Sequence, residues 1–146
     1  MHGNSEFAAV VAREWADEAK GKTCFICLET TEEGLVCGCE CDDATAFAHT
    51  SCLVRQARIA VEDAGDVSAA WLEDTLRICE CGVCGEFLYG EVTHAVAWGC
   101  WKTYASRPER DSLRQFVAVG LGNCLACFVV NCICNMVQAS RDRKMK

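Results

Sequence analysis

Apolar positions recur at helical spacing in four stretches of this chain, and the intervals between those stretches keep no such period. The first runs from about Ser5 to Lys20, where Phe7, Val10 or Val11, and Trp15 share a face, Ser5 offers a cap and Gly21 a stop. It reads as an amphipathic helix packed on the central part of the chain. A second face, made of Leu53, Ala57, Ala60, Val61 and Ala64, ends at Gly65, and a short helix is expected from near Ser68, with Val67 and Leu72 placed as a staple around its cap. Further on, Val92, Val96 and Cys100, with Trp98, Trp101 and Tyr104 at adjoining positions, predict a largely buried helix. Pro108 breaks it and restarts a further helix, expected to run to about Val137. Residues 22–51 read instead as loop and short strands, with Leu28, Leu35, Val36 and Phe47 as a small core. The pattern divides the chain into an N-terminal helix (1–22), a central unit (23–90), an aromatic helix packed on it (91–107) and an apolar C-terminal helix with a basic tail (108–146).

A length of 146 residues sets this as one domain with flanks. The formal net charge of -7 argues against a nucleic-acid partner, which needs a clustered basic surface. No Gly-rich phosphate loop, nucleophile elbow or paired-carboxylate constellation is present, so a self-contained hydrolase or kinase finds no support.

Cysteine changes the picture, because there are fourteen. Seven of them and one histidine form an ordered ladder: Cys24 and Cys27, Cys39 and Cys41, His49 and Cys52, Cys81 and Cys84. Two thiolates on a tight knuckle reach one metal at about 2.3 Å without distorting the backbone, and four such groups close a tetrahedral shell. Four pairs therefore suit two zinc ions. Disulfides are the competing reading of so much cysteine. Against them stand a polar start, MHGNSEF, a charged segment after it in place of an apolar leader, and the histidine inside the ladder. A reducing, cytoplasmic setting is expected. Two choices stay open, since Cys37 offers a thiol beside Cys39 and Cys79 one beside Cys81. Spacing to His49 favours Cys39, and the two-residue knuckle with Cys84, eased by Gly82 and Gly85, favours Cys81. His94 has no cysteine at knuckle spacing and reads as an ordinary core or surface histidine.

The order of the ladder, with Cys39-x-Cys41-x7-His49-x2-Cys52 at its centre, resembles the RING-CH variant of the RING finger over about residues 24–87. That resemblance implies a small α+β zinc-stabilised domain with a RING-type cross-brace, a helical insert and helical flanks. Cys24, Cys27, His49 and Cys52 would hold the first zinc, and Cys39, Cys41, Cys81 and Cys84 the second. It also implies ubiquitin ligation, in which a ubiquitin-charged conjugating enzyme docks on Ile26, helped by Leu53 and the loop from Cys81 to Cys84. Two positions depart from the family: Gln56 stands where a Trp is usual, and Gly85 follows the last ligand where a proline or basic residue would steady the complex. A non-catalytic interaction module or a membrane-anchored adaptor is the alternative. The strings AFAHTSCL and AWGCWKTYASRPE further resemble RING-CH-like proteins whose finger precedes tetratricopeptide-type repeats, and the helix Leu113 to Ala126 would open such an array. No second repeat follows in this sequence.

From Phe116 to Val137 the chain carries no charge over about 22 residues, or about 33 Å of helix, against about 30 Å of hydrocarbon. Asn123, Asn131 and Asn135 share one arc of that helix. Such a stripe suits packing along one side, either in a membrane, with the zinc domain on the cytoplasmic side, or on the domain itself.

Overall fold

The computed structural model describes residues 5–31, 34–41, 46–63, 77–88 and 90–144. In chain order these form α1 (Ser5–Glu14), β1 (Leu35–Cys37), β2 (Phe47–His49), α2 (Thr50–Asp63), a single 3-10 turn (Arg77–Cys79), α3 (Gly90–Tyr104) and α4 (Ser112–Lys144). The short helix expected from Ser68 lies outside the described residues. Helices with one two-stranded sheet make the small α+β architecture that the pattern implied.

β1 and β2 are antiparallel, with Leu35 opposite His49, Val36 opposite Ala48 and Cys37 opposite Phe47. Three residues per strand would not hold alone, and these are buried on both faces: Leu35, Val36, Phe47 and Ala48 are all among the core residues. Leu28 does not join them. Its φ of 63° turns the side chain outward, where it stays 75 % exposed. On α1 the expected stripe is narrower than the sequence suggests. Val11 is buried and Trp15 packs on the core edge-on to Phe47, at 6.4 Å between ring centroids, while Phe7 and Val10 face out. The reason is that α1 stops at Glu14; hydrogen-bonded turns from Trp15 to Gly21 then redirect the chain and bring Ala19 inward.

α3 is the axis of the molecule. Val92, Ala95, Val96, Ala97, Gly99, Cys100 and Tyr104 are buried along it, and α1, α2, the 3-10 turn and α4 all pack on it. α2 meets it through Leu53, Ala57 and Val61, the four-residue repeat of one helical face. Trp98 departs from the expected buried set. It is 40 % exposed, with the Lys102 ammonium 5.7 Å from its ring, and Trp101 is half-buried under the Arg114 guanidinium. Both rings lie at positions flanking the buried stripe, where an amphipathic aromatic can keep one edge wet.

Pro108 sits in a turn ahead of α4, closed by Asp111 N–H donating to the Pro108 carbonyl. The later start of α4 has a cause: the Asp111 carboxylate accepts the Arg114 N–H at 2.9 Å, an N-cap that fixes Ser112 as the first helical residue. α4 then continues to Lys144, beyond the expected end at Val137. Among the described residues of α4, the buried ones lie in its first part: Phe116, Val117, Gly120 and Cys124. Among the described residues no helix is long and apolar enough to cross a membrane.

Packing of α3 on the second ligand pair is close. A Cβ placed on Gly38 would lie 2.7 Å from Val92 Cγ1 and 3.2 Å from Leu88 Cδ2. Both neighbours are buried, and Val92 is branched at Cβ, so neither can swing aside. Gly38→Ala is therefore expected to destabilise the fold by about 1–3 kcal/mol. Gly122→Ala, at an open helical position, should raise stability by about 1 kcal/mol. Thermal unfolding of the two variants checks the contrast.

Candidate metal centres

The eight residues of the ladder gather into two clusters. Cys24, Cys27, His49 and Cys52 form one, and Cys39, Cys41, Cys81 and Cys84 the other, with the ligand atoms of each within 4.8 Å of one another. Their separations match the edges of a coordination tetrahedron. Bonds of about 2.3 Å to a central ion put sulfurs about 3.8 Å apart. Cys41 Sγ and Cys81 Sγ lie 3.6 Å apart, while His49 Nδ1 is 3.3 Å from Cys27 Sγ and 3.8 Å from Cys52 Sγ. Cys37 and Cys79 belong to neither cluster. Cys37 Sγ lies 3.4 Å from the Cys39 carbonyl, and Cys79 is buried. His94 is likewise in neither.

Two knuckles of the same build supply half the donors. Leu28 N–H donates to the Cys24 carbonyl and Cys24 N–H to the Glu29 carbonyl. In the second knuckle Gly85 N–H donates to the Cys81 carbonyl and Cys81 N–H to the Glu86 carbonyl. Each turn closes on a residue with left-handed backbone, Leu28 at φ 63° and Gly85 at φ 71°. Gly85 is thus there for the turn, whatever a partner would ask of that position. Leucine in the same conformation carries steric strain of about 1–2 kcal/mol.

The other halves come from the sheet and its exits. Phe25 N–H donates to the Phe47 carbonyl, which ties the first knuckle to β2, and β2 ends on His49. Cys52 follows in the first turn of α2. His49 is oriented by a main-chain group that sequence reading missed: its Nε2 is 2.8 Å from the Thr31 carbonyl. With Nε2–H donating there, Nδ1 is left unprotonated and faces the thiols, which is how a second-shell acceptor fixes a ligand tautomer. A carbonyl leaves no trace in side-chain identity, so no motif could have flagged Thr31. Cys39 and Cys41 leave β1, and Cys81 and Cys84 follow the 3-10 turn, so the second cluster joins segments some forty residues apart.

Electrostatics explain what each cluster lacks. Burial raises the Cys24 thiol, but hydrogen bonding from the backbone of Cys27, His49 and Ile26 outweighs it and brings the group down to about 6. Cys81 is lowered in the same way: burial opposes ionisation, and the backbone of Cys84 and Val83 prevails. Their neighbours move oppositely. Burial, followed by the adjacent Cys24 thiolate, pushes Cys52 up to about 12. Cys41 is raised by its hydrogen bond with Cys39, then by burial, then by Cys84 and Cys81. One thiolate per cluster is stabilised by the backbone, while burial and the neighbouring thiols oppose ionisation of the next. A divalent ion reverses that penalty. Four converging sulfur or imidazole donors fit a closed structural site, and each cluster could hold one metal ion.

Comparison with known proteins adds nothing to this geometry: no family model, curated protein or solved structure matches the chain.

Of the two residues expected to contact a partner, Ile26 is half-buried at the first knuckle. Leu53 is 5 % exposed and is a core residue. It follows Cys52 by one position, and the α2 face that starts there turns toward α3.

Metal analysis of the full chain is expected to give two ions. Cys81→Ser should remove one of them, and Cys79→Ser should leave both. Leu28→Gly should raise stability by about 1 kcal/mol by relieving the left-handed strain. Gly85→Leu should lower it by a similar amount. Chemical denaturation with metal bound reads both.

Proposed function

We propose that the chain is a zinc-bound module of RING-CH type that acts as a ubiquitin ligase. The observation that carries this reading is the alternation of the clusters along the chain: the first and third pairs meet, and the second and fourth pairs meet. That alternation supports the cross-brace that the RING-CH resemblance implies. Each ion would tie segments distant in sequence, so metal binding and folding become one equilibrium worth on the order of 10 kcal/mol per ion. A module of this kind forms no covalent intermediate. It would hold a ubiquitin-charged conjugating enzyme so that the thioester lies near a substrate lysine, which is catalysis by proximity.

The docking surface proposed for that enzyme runs from Ile26 on the first knuckle to the exposed Val83 on the second. Leu53, being buried, has no part in it.

A second reading is a non-catalytic interaction module. Its support is local. Gln56 lies over the backbone of the second knuckle, where a Cβ on Gly82 would fall 2.4 Å from its Nε2, and the hollow beside it is only about 170 Å³. A polar amide replaces there the large apolar contact usual in the family.

Autoubiquitination of the zinc-loaded chain with a panel of conjugating enzymes decides between them. Transfer that falls at least tenfold in Ile26→Ala, with metal content and melting temperature unchanged, is the expected result. Absence of transfer with every enzyme tried would leave the non-catalytic module.

A further inference from the structure

Beyond Cys124, every side chain of α4 that is described is exposed. Leu125, Ile133, Met136 and Val137 are 47 %, 50 %, 64 % and 46 % exposed. At about 100° per residue these four fall within one arc of about 120°. The buried residues of the same helix, Phe116, Val117, Gly120 and Cys124, occupy a separate arc. The exposed apolar face is therefore not an extension of the internal packing. It is a separate surface on another side of the helix.

Helix propensity does not sustain it alone. Val129, Val130, Asn131, Cys132, Ile133, Cys134 and Asn135 are weak helix formers in succession, and such a stretch is marginal in water without packing. Charge suggests what would cover it. The chain carries -7 in all; the last six residues hold Arg141, Arg143, Lys144 and Lys146 against Asp142, a local +3 that leaves -10 on the rest. A basic end on an apolar arm is complementary to the acidic body from which the arm projects, and two copies can satisfy each other.

We propose that the distal part of α4, from Leu125 to Lys144, is a self-association arm that packs antiparallel against the same arm of a second copy. Antiparallel pairing sets each basic end beside the partner's acidic body; parallel pairing would set the two basic ends together. Area points the same way. An arm of about 30 Å by about 10 Å offers on the order of 300 Å². A standard interface buries about 800 Å² per partner, so the contact needs the body as well as the arm. A dimer of this extent is expected to be of micromolar strength. It does not depend on the ligase reading.

Sedimentation equilibrium of the zinc-loaded chain from about 1 to about 200 μM tests the proposal across the range of weak dimers. A monomer–dimer equilibrium is expected, shifted toward monomer at least tenfold in Ile133→Asp/Met136→Asp, with metal content and circular dichroism of the body retained. Arg141→Glu/Arg143→Glu should also weaken it and flatten its salt dependence. A wild type monomeric throughout, or an aspartate variant that dimerises as the wild type does, overturns the arm. Strengthening by the glutamate pair overturns the antiparallel order. Flotation of the wild type with phosphatidylcholine–phosphatidylserine vesicles, with no dimer in their absence, would assign the same face to a lipid surface instead.

Discussion

Like-charge crowding among thiolates is the constraint on which this fold turns. Each cluster brings four donors within 4.8 Å, with one thiol favoured as thiolate by backbone hydrogen bonds and a neighbour disfavoured by burial and then by the thiols beside it. A cation at the centre would offset that penalty, and β1, β2, α2 and the 3-10 turn each lead to donors. β1 and β2 are too short to be stable by pairing alone; between them they carry His49 and lead to Cys39 and Cys41. Metal cross-links at the two clusters would take the place of a large apolar core in this segment, while α3 supplies an ordinary one beside it.

The two kinds of core meet at Gly38. This residue separates Cys37 from Cys39, and its missing side chain lets Val92 of α3 press against the loop that bears two donors of the second cluster. Helical packing therefore bears directly on metal geometry. The turn that follows α1 acts on the other cluster more distantly, through Trp15 against Phe47 of β2, two residues before His49.

What the sequence made legible was whatever spacing alone determines. Paired cysteines at two-residue intervals state their own geometry, and the eight residues that gather are those whose spacing stands out. α2 and α3 were legible because Leu53, Ala57 and Val61, or Val92, Val96 and Cys100, repeat at helical intervals with little competing pattern. What escaped depends on backbone conformation or on a neighbour distant in sequence. Leu28 looks like a core residue, yet the knuckle forces it into a left-handed turn and outward. Leu53 looks like a contact because it follows a ligand, but the direction of α2 carries it inside. Thr31 acts through its carbonyl and is invisible to any side-chain motif. The end of α1 at Glu14 and the start of α4 at Ser112 are each set by local hydrogen bonds, the least certain thing to read from periodicity.

α4 shows how one apolar run can serve two environments. By composition, residues 116–137 look uniform enough for a single purpose, and a membrane span is a natural expectation for them. Burial divides the run at Cys124. Before it the helix is a core element, held by Phe116 and Val117 on α3; after it the apolar side chains whose exposure is described lie on a rotated face. A span would have to draw its first turns off α3 and take Phe116 and Val117, both now buried, out of the core. Removing two such side chains from their packing costs several kcal/mol, on the order of the whole stability of a domain this size. Protein packing therefore has the prior claim on the first half of the run, and only the second half is free to be covered by something else.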